Sequence, residues 1–98
     1  MTEANQADIV RVHIWVTGRV QGVGFRAFVL QSGLLFGLTG WVRNLGYDQV
    51  ETVAEGRRDS VDLFIEAVKS GPRASRVDDT RVDWEMPIGE LDPFQVRF

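Results

Sequence analysis

Ninety-eight residues with no cysteine leave no room for a two-domain enzyme with a full dinucleotide-binding sheet, and exclude a disulfide framework, a thiolate metal site and a cysteine nucleophile. A single histidine, His13, excludes a multi-histidine metal site, and 44% hydrophobic with 26% charged residues is the composition of a chain that closes one core. The formal charge of −3 argues against binding long nucleic acid, which needs a broad basic surface.

Residues 1–8 are polar, with neither a basic n-region nor an apolar run, and predict a disordered lead-in before one domain over residues 9–98. No stretch approaches the roughly 18 apolar residues that would span a bilayer, so a cytoplasmic protein without membrane contact is expected. From Ile9 to Val16 the apolar residues alternate, with Val10, Val12, Ile14 and Val16 on one side and Arg11, His13 and Trp15 on the other: a strand with one buried face. Gly18-Arg19-Val20-Gln21-Gly22-Val23-Gly24 follows. Phe25, Phe28, Val29, Ser32, Leu35 and Phe36 then recur at helical spacing, closed by Gly37 in the C′ position, with Gly33 as a costly interior glycine.

Leu38 to Asn44 reads as a second strand with Gly40, Val42 and Asn44 on one face and Trp41 and Arg43 on the other. A turn around Gly46-Tyr47-Asp48 joins it to a third strand over Val50 to Glu55. Arg57-Arg58 reads as a solvated turn. Asp59 or Ser60 is the expected cap of a second helix with the stripe Val61, Phe64, Ile65 and Val68, ended by Gly71-Pro72. Val77 to Met86 and Phe94 to Phe98 are the last strands. The order β-α-β-β-α-β with a short terminal strand predicts an α+β, ferredoxin-like split βαβ sandwich, both helices on one face of an antiparallel sheet. That fold hosts many activities and supplies no function by itself.

Charge is unevenly placed. Between Ile9 and Tyr47 there is no Asp or Glu, yet Arg11, Arg19, Arg26 and Arg43 fall there, and eleven of the fourteen acids lie from Val50 onward. Either these arginines pair with acids from the other half, or they build a focused site for a small anion. The glycine-rich segment bears on the choice. A strand, a glycine turn and a helix start form an anion trap, because the first helical N–H groups lack acceptors and glycine lets successive amides converge. Arg26, at the helix start, can add a bidentate guanidinium to the same anion. No Gly-Lys-Ser/Thr follows, so this is not a P-loop, and Lys69 is the only lysine. Gly22-Val23-Gly24-Phe25-Arg26-Ala27 fits a dinucleotide fingerprint, but the required acid about 20 residues on is missing before Asp48 and a hairpin follows.

Gly18-Arg19-Val20-Gln21-Gly22-Val23-Gly24-Phe25-Arg26, followed by Gly40-Trp41-Val42-Arg43-Asn44, resembles the acylphosphatase family. The likeness runs from Ile9 to Phe98 and includes Glu55-Gly56 and Phe94-Gln95-Val96-Arg97-Phe98. It implies that the loop amides of Arg19, Val20, Gln21, Gly22 and Val23 hold a substrate phosphate, that Arg26 neutralises it and that Asn44 orients the attacking water. It also implies an acyl phosphate substrate, a carboxylate and inorganic phosphate as products, no cofactor or metal, and a monomer. Two positions depart from the family pattern: Asp48 replaces the glycine usual four residues after the asparagine, with Gly46 earlier in the turn, and Leu45 stands where some members carry a hydroxyl.

The chemistry suits so small a set of groups. A carboxylate leaving group, with a conjugate-acid pKa of roughly 4, departs without a general acid. Phosphoryl transfer is then positioning and charge stabilisation, which amides and one guanidinium supply. Asn44 can accept from a water and donate to its neighbours but cannot take up the proton, which is expected to go to a phosphate oxygen. Asn44 and Arg43 point to opposite faces, so Asn44 is the better partner for the loop. Two other classes stay open: an anion-binding module without turnover, and an RNA-binding sheet domain, which the absence of ribonucleoprotein motifs disfavours.

Overall fold

The computed structural model describes residues 8–89 and 92–97; the expected lead-in, apart from Asp8, and Phe98 lie outside the described residues. Those residues form β1 (Ile9–Arg19), α1 (Phe25–Leu35), β2 (Thr39–Leu45), β3 (Gln49–Arg57), α2 (Arg58–Ser70), β4 (Arg76–Glu85) and β5 (Gln95–Val96). The strands make one sheet in the order β4-β1-β3-β2-β5. β1 and β2 flank β3 and pair antiparallel with it, so the two outer strands run the same way with α1 crossing over the strand between them. β5 pairs parallel with β2, so the sheet is mixed, whereas the sequence predicts an antiparallel one.

One core holds the two helices to one face. Val12, Ile14 and Val16 from β1, Val42 from β2 and Val50 and Ala54 from β3 pack with Phe25 and Val29 of α1 and Val61, Phe64 and Val68 of α2. The apolar alternation read from β1 is therefore the inward face. α1 ends with the expected glycine. Gly37 has φ +70°, and the Leu38 and Gly37 amides donate to Gly33 and Leu34 carbonyls at 2.9 and 3.1 Å, the paired bonds of a Schellman closure. α2 starts earlier than expected: β3 runs straight into it, Arg57 is the N-cap with no side-chain cap, and Asp59 sits within the first turn, accepting from the Ser60 amide at 2.8 Å. Arg57 and Arg58 are thus a strand end and a helix start, ion-paired with Asp59 and Asp62, instead of a turn.

Gly33 has a packing reason. A Cβ there would lie 2.4 Å from the ring of Phe94, which is buried beside Phe64 with ring centroids 5.6 Å apart. Alanine would gain about 1 kcal/mol of helix propensity and lose about 1–3 kcal/mol by overpacking. Gly33→Ala is therefore expected to lower stability by about 1 kcal/mol, read as a reduced urea midpoint at unchanged slope; an increased midpoint would contradict this packing.

The helix-free face of the sheet carries the acids and arginines. Glu51 and Glu55 on the central strand are buried, and each is satisfied. Arg43 Nε donates to Glu51 at 2.6 Å, and Arg11 bridges Glu55 and Glu85 at 3.1 and 3.2 Å. The Ile88 and Gly89 amides also donate to Glu55, tying the segment after β4 to the sheet. For Arg11 and Arg43, pairing across the two halves of the sequence is the correct reading. His13 stacks on Trp15 with centroids 3.9 Å apart, and its ring nitrogens lie 2.7 Å from Glu51 and 2.9 Å from Glu85. Trp41 meets His13 edge-on and takes the Arg97 guanidinium over its ring; Trp84, opposite the core residue Val12, lies on the other face under Arg58 of α2.

Candidate active site

The register of three strands determines what stands beside the glycine loop. Val16 is opposite Val50, and Val50 is opposite Asn44, so one row of residues crosses β1, β3 and β2 at the end of the sheet from which the loop leaves. At that end β1 shifts register against β4 between Thr17 and Gly18. The Gly18 amide donates to the Asp48 carbonyl at 2.8 Å, and Gln49 Nε2 donates to Thr17 Oγ1 at 3.2 Å, so the β2–β3 turn braces the base of the loop. Gly46 supplies the positive φ in that turn, +68°, and Asp48 needs none.

Residues 21–24 turn before α1 begins. Gly22 and Gly24 have φ +73° and +75°, left-handed conformations among neighbours of negative φ, and such glycines let successive amides converge. Among the described residues, the amides of Gln21, Gly22 and Val23 donate to no main-chain acceptor. The Val20 amide instead turns back to the Gly18 carbonyl at 3.1 Å, and Arg19 ends β1 opposite Arg76 of β4. Gly24 is the N-cap of α1 with no side-chain cap, and no acid lies in the first turn, so the positive end of the helix is uncompensated by a carboxylate there.

A cavity of about 500 Å³ opens against this loop, a size that suits a small molecule. Val20, Gln21, Gly22, Arg26 and Asn44 all line it; Arg19 and Val23 do not, Val23 being packed against the core instead. Arg26 and Asn44 are half-buried. The cavity brings together a glycine turn with unused amides, a guanidinium and a primary amide, which together can bind a compact anion and direct a water toward it. Leu30 and Val96 also line it, and the sequence pattern does not single them out, because α1 reads as an apolar stripe and β5 as a packing strand. Among the described residues, no three His, Cys, Asp or Glu side chains gather to hold a metal ion, and no helix is long and apolar enough to cross a membrane.

The acylphosphatase family model matches residues 12–96, most of the chain. The chain belongs to the acylphosphatase family. It is 48% identical to an acylphosphatase of Trichormus variabilis over 94% of this chain and 90% of that one. Its identity to the acylphosphatase of Anaeromyxobacter dehalogenans is 46%, over 94% of this chain and 99% of the relative. The crystal structure of acylphosphatase from Bacillus subtilis superposes with a TM-score of 0.86 at 38% identity, covering 91% of this chain and 99% of that one. The ferredoxin-like α+β architecture is thus shared with acylphosphatases of known structure.

On the opposite face of this acylphosphatase sheet, acid pH has a calculable direction. Burial works to raise the Glu51 carboxyl, but hydrogen bonds from Arg43 and His13 outweigh it and hold the group below its ordinary value of 4.5. Glu85 is also held down, chiefly by its hydrogen bond with His13 and further by Arg11. A carboxyl lowered by folding stabilises the native state fully above its unfolded value and loses that contribution as the pH falls through the folded one. Stability should therefore decline as the pH drops below about 4.5, and the Glu51→Gln/Glu85→Gln variant should show a flatter decline, measured as urea midpoints between neutral and acid pH. Equal acid sensitivity in the two proteins would show that other carboxyls govern the decline.

Proposed function

We propose that this enzyme hydrolyses acyl phosphates, with the loop amides from Arg19 to Val23 and the Arg26 guanidinium holding the phosphoryl group and Asn44 aiming the attacking water. The observation that carries the reading is that Gln21, Gly22, Arg26 and Asn44 line one and the same cavity. Within the loop, the amides of Gln21, Gly22 and Val23 have no main-chain acceptor among the described residues, which supports them as donors, whereas the Val20 amide also donates to the Gly18 carbonyl.

In the reaction the water oxygen forms a bond to phosphorus as the bond from phosphorus to the bridging acyl oxygen breaks. The electron pair of that bond leaves on the carboxylate, and the water's proton passes to a phosphate oxygen. Charge on the equatorial oxygens is met by the amides, the helix end and the guanidinium, fixed in place before the reaction starts. Asn44 accepts from the water through its carbonyl oxygen and so reduces the entropy cost of orienting it. A carboxylate leaves without protonation, so the reaction needs neither a general acid nor a metal to stabilise the departing oxygen. A monomer working in the cytoplasm belongs to the same reading.

Incubation with benzoyl phosphate, followed by its ultraviolet absorbance in metal-free buffer with chelator, is the test. Decay well above the buffer rate is expected. Saturable phosphate binding with decay equal to the blank would instead identify an anion-binding module.

A further inference from the structure

We infer that Leu30 and Val96 form the acyl end of the cavity, so that the preferred substrates carry an uncharged, apolar acyl group. This rests on the reading of Arg26 and Asn44 as the phosphoryl end.

Leu30 follows Arg26 by four residues on α1, so it lies on the same helix face about 5–6 Å further from the loop. Val96 pairs with Val42, which precedes Asn44 by two residues and shares its strand face, about 7 Å back from the loop. β2 runs parallel to β1 and α1 returns against it, so these two steps lead in the same direction, away from the polar end. The cavity thus has an anionic-ligand end and an apolar end, and both residues line it.

Charge narrows the acyl group further. Among the described residues lining the cavity Arg26 alone is charged, and in the proposed reading the phosphoryl group engages it. A carboxylate or ammonium at the far end of the acyl chain would lose water there and find no partner. Val96 is also held firmly enough to act as a wall. The Arg97 amide donates to the Val42 carbonyl at 2.8 Å, the Arg97 guanidinium lies 4.7 Å from the Trp41 ring centroid, and Phe94 is seated over Gly33.

The experiment compares kcat/KM for benzoyl, acetyl and succinyl phosphate in the wild type, Leu30→Ala, the isosteric Val96→Thr and the double variant. For the wild type, succinyl phosphate should be about tenfold poorer than benzoyl phosphate. The benzoyl-over-acetyl preference should fall about tenfold in the double variant, mostly through a raised KM for benzoyl phosphate, because acetyl phosphate has only a methyl group to place there. Residual acetyl phosphate turnover reports that each variant is folded. An unchanged preference in both single variants and the double, or succinyl phosphate equal to benzoyl phosphate, would overturn the inference while leaving the hydrolase reading intact. Failure of the wild type to hydrolyse any of the three would overturn both.

Discussion

Arg26→Gln is expected to lower kcat/KM for benzoyl phosphate by about 10³-fold or more and to abolish competition by inorganic phosphate. A guanidinium stabilising a transferring phosphoryl group contributes on the order of 10³–10⁵ in rate, and glutamine retains one amide donor pair but no charge. Arg26→Lys should recover only part of the loss, because a single ammonium cannot reproduce a planar two-pronged contact. Arg26 is a half-buried residue at the start of α1, outside the hydrophobic core that its apolar neighbours form, so the variant should fold with an unaltered circular dichroism spectrum. Activity within tenfold of wild type would remove Arg26 from the phosphoryl site.

Asn44→Ala should have a different signature. Its kcat should fall by about 10²–10³, the scale of losing one oriented polar group at a reacting centre, while phosphate still competes with an affinity within a few-fold of wild type. The separation of the two effects follows from position: Arg26 and the loop amides belong to the β1–α1 connection, whereas Asn44 reaches the cavity from β2 through the row Val16–Val50–Asn44. An alanine variant that turned over at near wild-type rate would mean that some other group aims the water. Loss of phosphate affinity equal to that of Arg26→Gln would make Asn44 a binding group instead.

Much of this arrangement is legible in the chain, for reasons that differ by element. α1 is readable because its apolar positions recur at helical spacing and Gly37 closes it with the expected geometry. The face of Asn44 follows from strand parity, since Val42 is in the core and Arg43 pairs with Glu51 on the far side. The cap of α2 is misplaced because Asp59 is a strong local signal, and the direct passage of β3 into the helix is decided by the sheet. The apparent cost of Gly33 has no explanation until Phe94, distant in sequence, is seen to occupy the space of its missing side chain. For the same reason His13 reads only as a strand residue: its contacts with Glu51 and Glu85 depend on which strands are neighbours. Leu30 and Val96 become partners in one cavity only once β5 is placed beside β2.

The central claim is that a phosphate is held between the glycine turn and Asn44. Titration of ¹⁵N-labelled protein with inorganic phosphate, followed by NMR, tests it most directly. Saturable shifts at the amides of Gln21, Gly22 and Val23 and at Arg26 Nε, lost in Arg26→Gln, are the predicted result. Saturable shifts confined to the helix-free face around Arg11 and Arg43, with the loop amides unmoved, would contradict it.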